Sequence, residues 1–289
     1  MWQQSSYSDQ SGKGVLYLVP TPVGNLEDMT YRAIRTLQEV DLIAAEDTRQ
    51  TRKLCNHFEI QTKLVSYHEH NKEASGEKLL QHLRDGHDIA LVSDAGMPAV
   101  SDPGYELVVS CLQEELAVVP LPGANAALPA IVASGLPTDQ FLFYGFLHRQ
   151  KKQKNEELEH LKSIEVPIIF YESPHRLKET LQLIEKAFGN RQISVTRELS
   201  KKHEEFIRGS ISEVIEWCEV GQVKGEFCFV VAGASGDEQQ EENWWQDLTI
   251  IQHVEHYLSL KMSSKDAIKQ VARERKLPKR EVYATYHKD

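Results

Sequence analysis

The segment VSDAGMPAVSDPG (92–104) places acidic and hydroxyl side chains in a loop that is rich in glycine and proline. It follows the apolar run at 88–93 and precedes a helical pattern at 104–114. Ligands of open α/β sheets bind at the loops that leave the carboxyl ends of strands. Asp94 and Asp102 can accept hydrogen bonds from amines or hydroxyls, and loops this long and stiff are typically functional. The structural alternative is an elaborate turn that caps the next helix.

Two further stiff turns follow other strand-like runs. VPTPVGNLEDMTYRA (19–33) contains Asp28 and Thr30 as possible helix caps, and PLPGANA (120–126) again leads into a helix. Neither contains the GxGxxG or GxxxxGK[ST] phosphate-binding pattern, which disfavours a nucleoside triphosphatase or an ordinary dinucleotide enzyme. Three such loops at one sheet edge predict a pocket lined largely by backbone groups.

Charged side chains stand at other predicted strand ends. AAEDTRQT (44–51), FYESPHR (170–176) and TRELSKKHEE (196–205) each combine acids with Arg or Lys. Such groups can bind a substrate, or they can form ion pairs on a solvated rim. No GxSxG elbow accompanies the serines, which disfavours a hydrolase. His68 and His70 lack a clear third ligand, so no metal site is assigned.

The elements that position these residues fall into two sets. Apolar, β-branched runs alternate with helical patterns in the first half, which predicts a mostly parallel sheet with helices on both faces. Closely spaced strands at 193–210 predict a mixed sheet in the second half. The predicted strands are 14–20, 41–46, 63–68, 88–94, 116–122, 141–146, 166–173, 193–199, 204–210 and 225–233.

The fold class is therefore α/β with two domains and an extension. We expect an N-terminal α/β domain at 13–122, a C-terminal α/β domain at 123–235 and a basic helical extension at 244–289, after an acidic linker at 235–247. Residues 261–289 hold nine Lys and Arg against four Asp and Glu. Two helices are predicted there: Ser264 caps the first, with Ile268, Val271 and Ala272 as its apolar stripe, and Val282, Tyr283 and Tyr286 point one way on the second.

Composition limits the classes of partner. The formal net charge of −10 argues against a chain coated in nucleic-acid-binding surface, so RNA contacts would depend on local basic segments. HRQKKQK (148–154) and the tail are the candidates. No signal peptide or membrane helix is recognised, which predicts a cytoplasmic protein without membrane attachment. The four cysteines are widely separated and are expected to be reduced, mostly buried thiols.

Six motifs taken together resemble the tetrapyrrole-methylase-like family over about residues 13–233. They are VPTPVGNLEDMTYRA, AAEDTRQT, VSDAGMPAVSDPG, PLPGANAALPA, FYESPHR and TRELSKKHEE, in this order. The resemblance implies two α/β domains with S-adenosylmethionine in the cleft between them, and a homodimer. It further implies 2′-O-methylation of a cytidine ribose in 16S rRNA of the small ribosomal subunit. The first loop departs from the glycine-rich version in tetrapyrrole-modifying members, which favours RNA.

The resemblance also assigns residues to the cofactor. Those carried over by motif are Pro22, Asp94, Ala95, Gly96, Pro98, Ser101, Asp102, Pro122, Gly123, Ala124, Asn125, Tyr171, Glu172 and Ser173.

A charged set is expected around the methyl acceptor, without one residue singled out as the base. Its members are Glu46, Asp47, Arg49, Glu198 and Lys201. Lys201 serves as the base if Arg197, Lys202 and burial lower its pKa. Two alternatives stay open: a methyltransferase of the same fold that acts on a tetrapyrrole or another small molecule, and a non-catalytic RNA-binding protein of ribosome assembly.

Overall fold

The computed structural model describes residues 1–5, 12–221, 223–235, 245, 247–275 and 277–287. The chain divides into two compact units, Met1–Gly233 and Ala234–Asp289. Most of the predicted acidic linker and the predicted start of the extension at 244 lie outside the described residues. Within the described ranges, no helix combines the length and apolar character that a membrane span requires.

The first lobe of the larger unit contains a parallel sheet. Its strands are β1 (Val15–Leu18), β2 (Leu42–Ala45), β3 (Lys63–Ser66), β4 (Ile89–Val92) and β5 (Ala117–Pro120). Its helices are α1 (Tyr31–Glu39), α2 (Thr48–His57), α3 (Lys72–Arg84) and α4 (Tyr105–Gln113). The strand order is β3-β2-β4-β1-β5, and all pairs are parallel. The predicted parallel sheet is confirmed.

Helices cover both faces of this sheet. On β2, Leu42 and Ala44 pack into one buried cluster with α3 and α4, whereas Ile43 and Ala45 pack into another with α1 and α2. Alternating side chains of a strand point to opposite faces, so a strand that is buried on both sides reads as a continuous apolar run. Because both faces are buried, the carboxyl ends of the strands and the loops after them form the edge at which a ligand can bind.

The second lobe contains a mixed sheet. Its strands are β6 (Leu142–Phe146), β7 (Ile168–Glu172), β8 (Gln192–Arg197), β9 (Glu205–Ser210) and β10 (Phe227–Val231). Its helices are α5 (Ala127–Val132), α6 (Lys151–Leu161), α7 (Leu177–Phe188) and α8 (Ile211–Val220). The order is β6-β7-β10-β8-β9, with β6 and β7 parallel and the other pairs antiparallel. The predicted mixed sheet is confirmed.

Two apolar layers hold the second lobe together. Phe170 and Phe229 stack with ring centroids 5.2 Å apart, in a cluster that includes α6, α7 and α8. On the opposite face, Ile169 and Val230 pack with Ile131 of α5. The short apolar helix in the segment that connects the two sheets thus covers one side of the second sheet.

The smaller unit contains three helices within its described residues: α9 (Ile250–Ser259), α10 (Ser264–Glu274) and α11 (Lys279–Tyr286). Val254, Ile268, Val271 and Val282 form its buried core. The sequence interpretation includes α10 and α11 but misses α9. Tyr283 is also misassigned, because its side chain is 55% exposed and does not join the core.

The cap of α10 lies one residue earlier than predicted. Ser263 is the N-cap, and its hydroxyl accepts a hydrogen bond from the Asp266 backbone N–H at 3.2 Å. Ser264 is instead the first helical residue. A cap must have extended backbone and reach the amide two or three residues on, which adjacent serines do not reveal from sequence alone.

These adjacent serines provide a matched pair for a stability test. Ser263→Ala removes the cap and should destabilise α10 by about 1 kcal/mol, whereas Ser264→Ala should have little effect. Hydrogen exchange of the α10 amides in the full chain should therefore quicken about fivefold in the first variant only. Equal exchange in both variants would contradict the assignment of Ser263 as the cap.

Candidate functional site

The loop at 94–102 is tied to the loop that follows β1. Thr21 N–H donates to the Gly96 carbonyl at 2.9 Å, and Gly96 N–H donates back to the Thr21 carbonyl at 2.8 Å. The Thr21 hydroxyl also donates to the Ser93 carbonyl at 3.0 Å. Gly96 has φ of +80°, a conformation that glycine adopts without strain. Two of the three stiff turns are thus held side by side at the carboxyl edge of the first sheet.

A cavity of about 470 Å³, which we call the interlobe cavity, lies between the two lobes of the larger unit. This volume falls within the range of about 300–1,000 Å³ that is typical of small-molecule sites. The first lobe contributes Val23, Glu46, 94–97, 100–102, Asn125 and Ala126. The second lobe contributes Phe146, 171–174, Thr196, Leu199 and 226–228.

A second cavity of about 380 Å³, the side cavity, adjoins it. It is lined by Val23, Asp28, 123–125, Pro129, Leu199 and Ser200. Val23, Asn125 and Leu199 line both cavities. A ligand that spans both spaces would contact this shared wall.

Most of the residues assigned to the cofactor lie at these cavities. Nine line the interlobe cavity: Asp94, Ala95, Gly96, Ser101, Asp102, Asn125, Tyr171, Glu172 and Ser173. Gly123 and Ala124 line the side cavity instead. Pro22, Pro98 and Pro122 line neither of the two and stiffen the turns beside them.

Three carboxylates gather at the first-lobe wall of the interlobe cavity. Burial raises the pKa of Asp102 to about 6, and the nearby charges of Glu46 and Asp94 add to this effect. Burial likewise raises the pKa of Glu46 and of Asp94. The Asp94 carboxylate accepts a hydrogen bond from the Asp47 backbone N–H at 3.1 Å, which fixes its position. A site of this kind favours a cation, because a positive charge relieves the mutual repulsion.

Asp47 and Arg49 form an ion pair at the start of α2 and do not line the cavity. Asp47 is the N-cap, and its carboxylate accepts from the Arg49 guanidinium at 2.7 and 3.0 Å and from the Arg49 N–H at 2.8 Å. These hydrogen bonds lower the pKa of Asp47 to about 2. Of the three residues in this segment, Glu46 is the one with its carboxylate at the cavity.

Lys201 is held protonated, which contradicts the condition under which it could act as a base. Its ammonium lies 3.0 Å from a Glu198 oxygen and 2.9 Å from a Glu226 oxygen. Burial alone would lower the pKa of Lys201, but the hydrogen bonds to Glu226 and Glu198 outweigh it and raise the pKa. Burial also opposes ionisation of Glu198, yet the hydrogen bonds from Lys201 and the Glu226 amide lower its pKa.

The predicted charged set does not form one cluster. The described hydrogen bonds and ion pairs link Glu46 and Arg49 with Asp94 or Asp47, and they link Glu198 with Lys201. Among the described residues, no hydrogen bond or ion pair joins the two groups. Glu46 therefore makes no direct hydrogen bond or ion pair with Glu198 or Lys201.

Glu172 is anchored from behind by buried partners. The Thr180 hydroxyl donates to its carboxylate at 2.7 Å, and the Lys154 ammonium donates to Thr180 Oγ1 at 2.8 Å. The Arg176 guanidinium lies 3.3 Å from the same carboxylate. Lys154 is 2% exposed, so it does not belong to the basic surface predicted at 148–154. Its neighbours Arg149, Lys151 and Lys152 are exposed and keep that role as a prediction.

Strained backbone is concentrated beside the cavities. Seven described residues other than glycine have positive φ. Three of them follow helix ends, where the left-handed conformation is common. The other four are Ala99, Ser101, Glu198 and Ser200, at φ of 65°, 61°, 52° and 60°. They lie in the two loops that contribute to opposite walls, and such strain accumulates at functional sites.

Two glycines permit the close approach of these walls. A β-carbon on Gly145 of β6 would lie 2.8 Å from Ser101 Oγ. A β-carbon on Gly24 would lie 2.3 Å from Lys201 Cγ and 3.0 Å from the Leu199 carbonyl oxygen. Gly24 requires glycine because the backbone of the other lobe passes against it, and Gly145 requires glycine because its φ is +79°.

Several lining residues were not singled out from the sequence. Thr196, Leu199, Phe227 and Cys228 come from β8, β10 and the turn after β8. Thr196 is 1% exposed, and its hydroxyl has no hydrogen-bond partner among the described residues. The sequence signal for Thr196 is its position as a polar residue within the apolar alternation of ISVTREL.

The fold and the interlobe cavity define a two-lobed α/β protein with a ligand site between its sheets. The family model of Tetrapyrrole (Corrin/Porphyrin) Methylases matches residues 15–215. The chain belongs to this family, as the six motifs indicate.

Relatives and a solved structure extend the comparison. A protein of Halalkalibacterium halodurans named ribosomal RNA small subunit methyltransferase I is 58% identical over 289 residues, and the match covers 100% of both chains. A Bacillus subtilis protein of the same name is 60% identical over 286 residues, covering 99% of this chain and 98% of the relative. The structure of uroporphyrin-III C-methyl transferase from Thermus thermophilus, complexed with S-adenyl homocysteine, shares the fold, with a TM-score of 0.54, 19% identity, and 76% and 97% coverage.

The raised pKa of Asp102 predicts an unusual pH dependence of stability. Between its ordinary value of 3.8 and the folded value of about 6, the folded protein binds more protons at this site than the unfolded chain. The contribution of Asp102 to the free energy of unfolding therefore falls as the pH rises through this window. Urea unfolding of the wild type and Asp102→Asn should give a difference that declines by about 1–2 kcal/mol from pH 4 to pH 7, because solvent screening reduces the effect at this partly exposed carboxylate.

The exposed Asp139→Asn is the matched control for this titration. A difference between the wild type and Asp102→Asn that stays constant over the same pH range would show that Asp102 titrates normally, and would contradict the desolvated carboxylate cluster.

Proposed function

We propose that this protein is an S-adenosylmethionine-dependent methyltransferase that modifies the 2′-oxygen of a cytidine ribose in 16S rRNA of the small ribosomal subunit. Family membership supports methyl transfer, and the names of the relatives support small-subunit rRNA as the substrate. The acidic, partly desolvated interlobe cavity is the observation that carries the proposal, because it is suited to a cationic ligand.

The residues of the interlobe cavity fit this cofactor. Glu46, Asp94 and Asp102 provide negative charge, and the buried Thr196 hydroxyl has no hydrogen-bond partner among the described residues. Tyr171 contributes an aromatic face packed edge-on against Phe146, with ring centroids 5.5 Å apart. S-adenosylmethionine would supply an electrophilic methyl group on a positively charged sulfur. Walls from both lobes would orient a bound donor toward the ribose oxygen, and such positioning can contribute up to about 7–11 kcal/mol in favourable systems.

The direct test is transfer of labelled methyl groups to small ribosomal subunits that lack the modification, followed by mapping of the modified ribose. We expect label in a cytidine 2′-oxygen and none in tetrapyrrole precursors. Label only in a small molecule would assign the protein to the other branch of the family. Absence of measurable cofactor binding by calorimetry would identify a binding protein without catalysis.

Glu46 is the residue that we propose as the proton acceptor. A ribose hydroxyl is a poor acid, so its attack requires a base at the reacting oxygen. Asp47 is paired with Arg49, Glu198 is paired with Lys201, and Lys201 is protonated. Glu46 lines the cavity and has a raised pKa, which makes its carboxylate a stronger base than an ordinary glutamate.

Glu46→Gln should reduce methyl transfer by about 10²–10⁴-fold, because the amide keeps the shape of the side chain but cannot accept the proton. Cofactor affinity, measured by calorimetry, should fall far less than the rate. The exposed Glu73→Gln on α3 serves as the control. If rate and cofactor affinity fall by the same factor, Glu46 acts in cofactor binding instead.

RNA binding is assigned to the basic surface of the smaller unit. Lys265, Lys269 and Arg273 are exposed and four residues apart, so they form one stripe along α10. Cationic side chains in such a stripe contact phosphates, and this makes affinity fall with salt. This local surface lets a chain with a net charge of −10 bind RNA.

Replacement of Lys265, Lys269 and Arg273 with Gln should weaken binding to the small subunit and leave cofactor affinity unchanged. The slope of log affinity against log salt should become shallower by up to about 2, at about 0.7 for each lost phosphate contact. Removal of residues 236–289 should weaken RNA binding at least as much. Equal RNA affinity of wild type and both variants across the salt series would refute this assignment.

The homodimer, which the family resemblance implies, and the cytoplasmic location stay predictions. Sedimentation of the purified chain tests the first of them.

A further inference from the structure

The side cavity lies where a second part of the substrate would be expected. It shares Val23, Asn125 and Leu199 with the interlobe cavity. In a nucleotide, the base and the 2′-oxygen are attached to adjacent carbons of one sugar. A ribose that presents its 2′-oxygen to the interlobe cavity must therefore place its base in a space immediately beside it. Enzymes that act on a nucleotide commonly take its base out of the stack and read the edge of that base in a pocket.

Asp28 gives the side cavity a negatively charged hydrogen-bond acceptor. The sequence offers Asp28 or Thr30 as the cap of α1, but the Thr30 hydroxyl performs this role and the Asn25 side chain caps the 3₁₀ turn Leu26–Asp28. The Asp28 carboxylate makes no hydrogen bond or ion pair with the other described residues. An exposed acid at a cavity, with no partner among the described residues, is available to a ligand.

Ser200 lines the same cavity, and its buried hydroxyl has no hydrogen-bond partner among the described residues. The backbone at Ser200 has φ of 60°, and its N–H donates to the Glu204 carboxylate at 2.6 Å, so the turn is held in a strained conformation. Leaving a buried hydroxyl unpaired is costly, and a ligand that supplies the missing partner removes that cost.

We infer that the side cavity binds the base of the target nucleotide and selects cytosine. This inference rests on the proposed function. The Asp28 carboxylate accepts a hydrogen bond from the exocyclic amine of cytosine, which is the pairing that carboxylates make with this base. Rotation about χ1 of Ser200 turns its buried hydroxyl toward the side cavity, where it donates to a ring acceptor of the base. Uracil carries a carbonyl oxygen in place of the amine, and this oxygen is repelled by the carboxylate.

Substitution of Asp28 tests the selection of the base directly. Asp28→Asn replaces the acceptor with an amide that can also donate to the carbonyl oxygen of uracil. Small subunits are reconstituted with 16S rRNA that carries either cytidine or uridine at the nucleotide mapped as the methylation site of the wild type. The ratio of methyl transfer rates on the two substrates is measured for the wild type, Asp28→Asn and Ser200→Ala.

We expect the wild type to prefer cytidine by about tenfold or more, which is the discrimination of one good polar contact to a base edge. The ratio should fall about tenfold in Asp28→Asn and also fall in Ser200→Ala. Glu27→Gln is the matched control, because Glu27 is exposed in the same 3₁₀ turn and lines neither cavity. Its ratio should equal that of the wild type.

The outcomes separate this inference from the proposed function. No transfer by the wild type to either substrate would overturn the proposed function itself. Transfer by the wild type with the same ratio in Asp28→Asn, Ser200→Ala and Glu27→Gln would overturn the base pocket and leave the methyltransferase assignment intact. Calorimetry with S-adenosylmethionine on every variant checks that the interlobe cavity is unchanged.

Discussion

Electrostatic repulsion acts between three carboxylates in a partly desolvated space, those of Glu46, Asp94 and Asp102. This repulsion determines the kind of ligand that the site favours. Glu46 follows β2 and the two aspartates follow β4, which are neighbouring parallel strands whose carboxyl ends meet at one edge. Helices on both faces keep water from the flanks of that sheet. The carboxylates must therefore take up protons or face a cation, and at neutral pH a cationic ligand is the favourable solution.

The charged side chains of the second lobe are instead paired with one another. Its charges are already compensated: Lys201 is shared by Glu198 and Glu226, and Glu172 is held by Thr180 and Arg176. These hydrogen bonds fix the far wall before any ligand arrives, so little ordering is needed on binding. One wall of the interlobe cavity thus carries unbalanced charge, and the other provides rigid shape. A bound cation would be oriented toward the first lobe by this difference.

Local patterns predict the sheets well because each strand is marked by its own apolar run and turn chemistry. The three stiff turns lie at a single edge, as predicted, since parallel strands present all their carboxyl ends together.

The hydrogen-bond and ion-pair partners of individual side chains are harder to predict from the sequence. Lys154 sits in a basic run and yet is buried against Thr180, and Lys201 has carboxylate partners, one of them 25 residues away. Cys228 was expected only as a buried thiol and Thr196 was not singled out, because their position at an interlobe surface depends on the tertiary arrangement. Helix α9 was not predicted, because it directly follows an acidic stretch whose composition is typical of a linker.

Gly24 and Gly145 show how a binding site can depend on positions that contact no ligand. A methyl group at either position would push against the opposite lobe. At position 24 it would displace the carbonyl of Leu199, a residue that lines both cavities. A β-carbon at position 24 would therefore alter the interlobe cavity and the side cavity simultaneously, although none of the residues that line them would be substituted. Variants of this backbone contact would be mistaken for defects in catalysis, although their origin is purely steric.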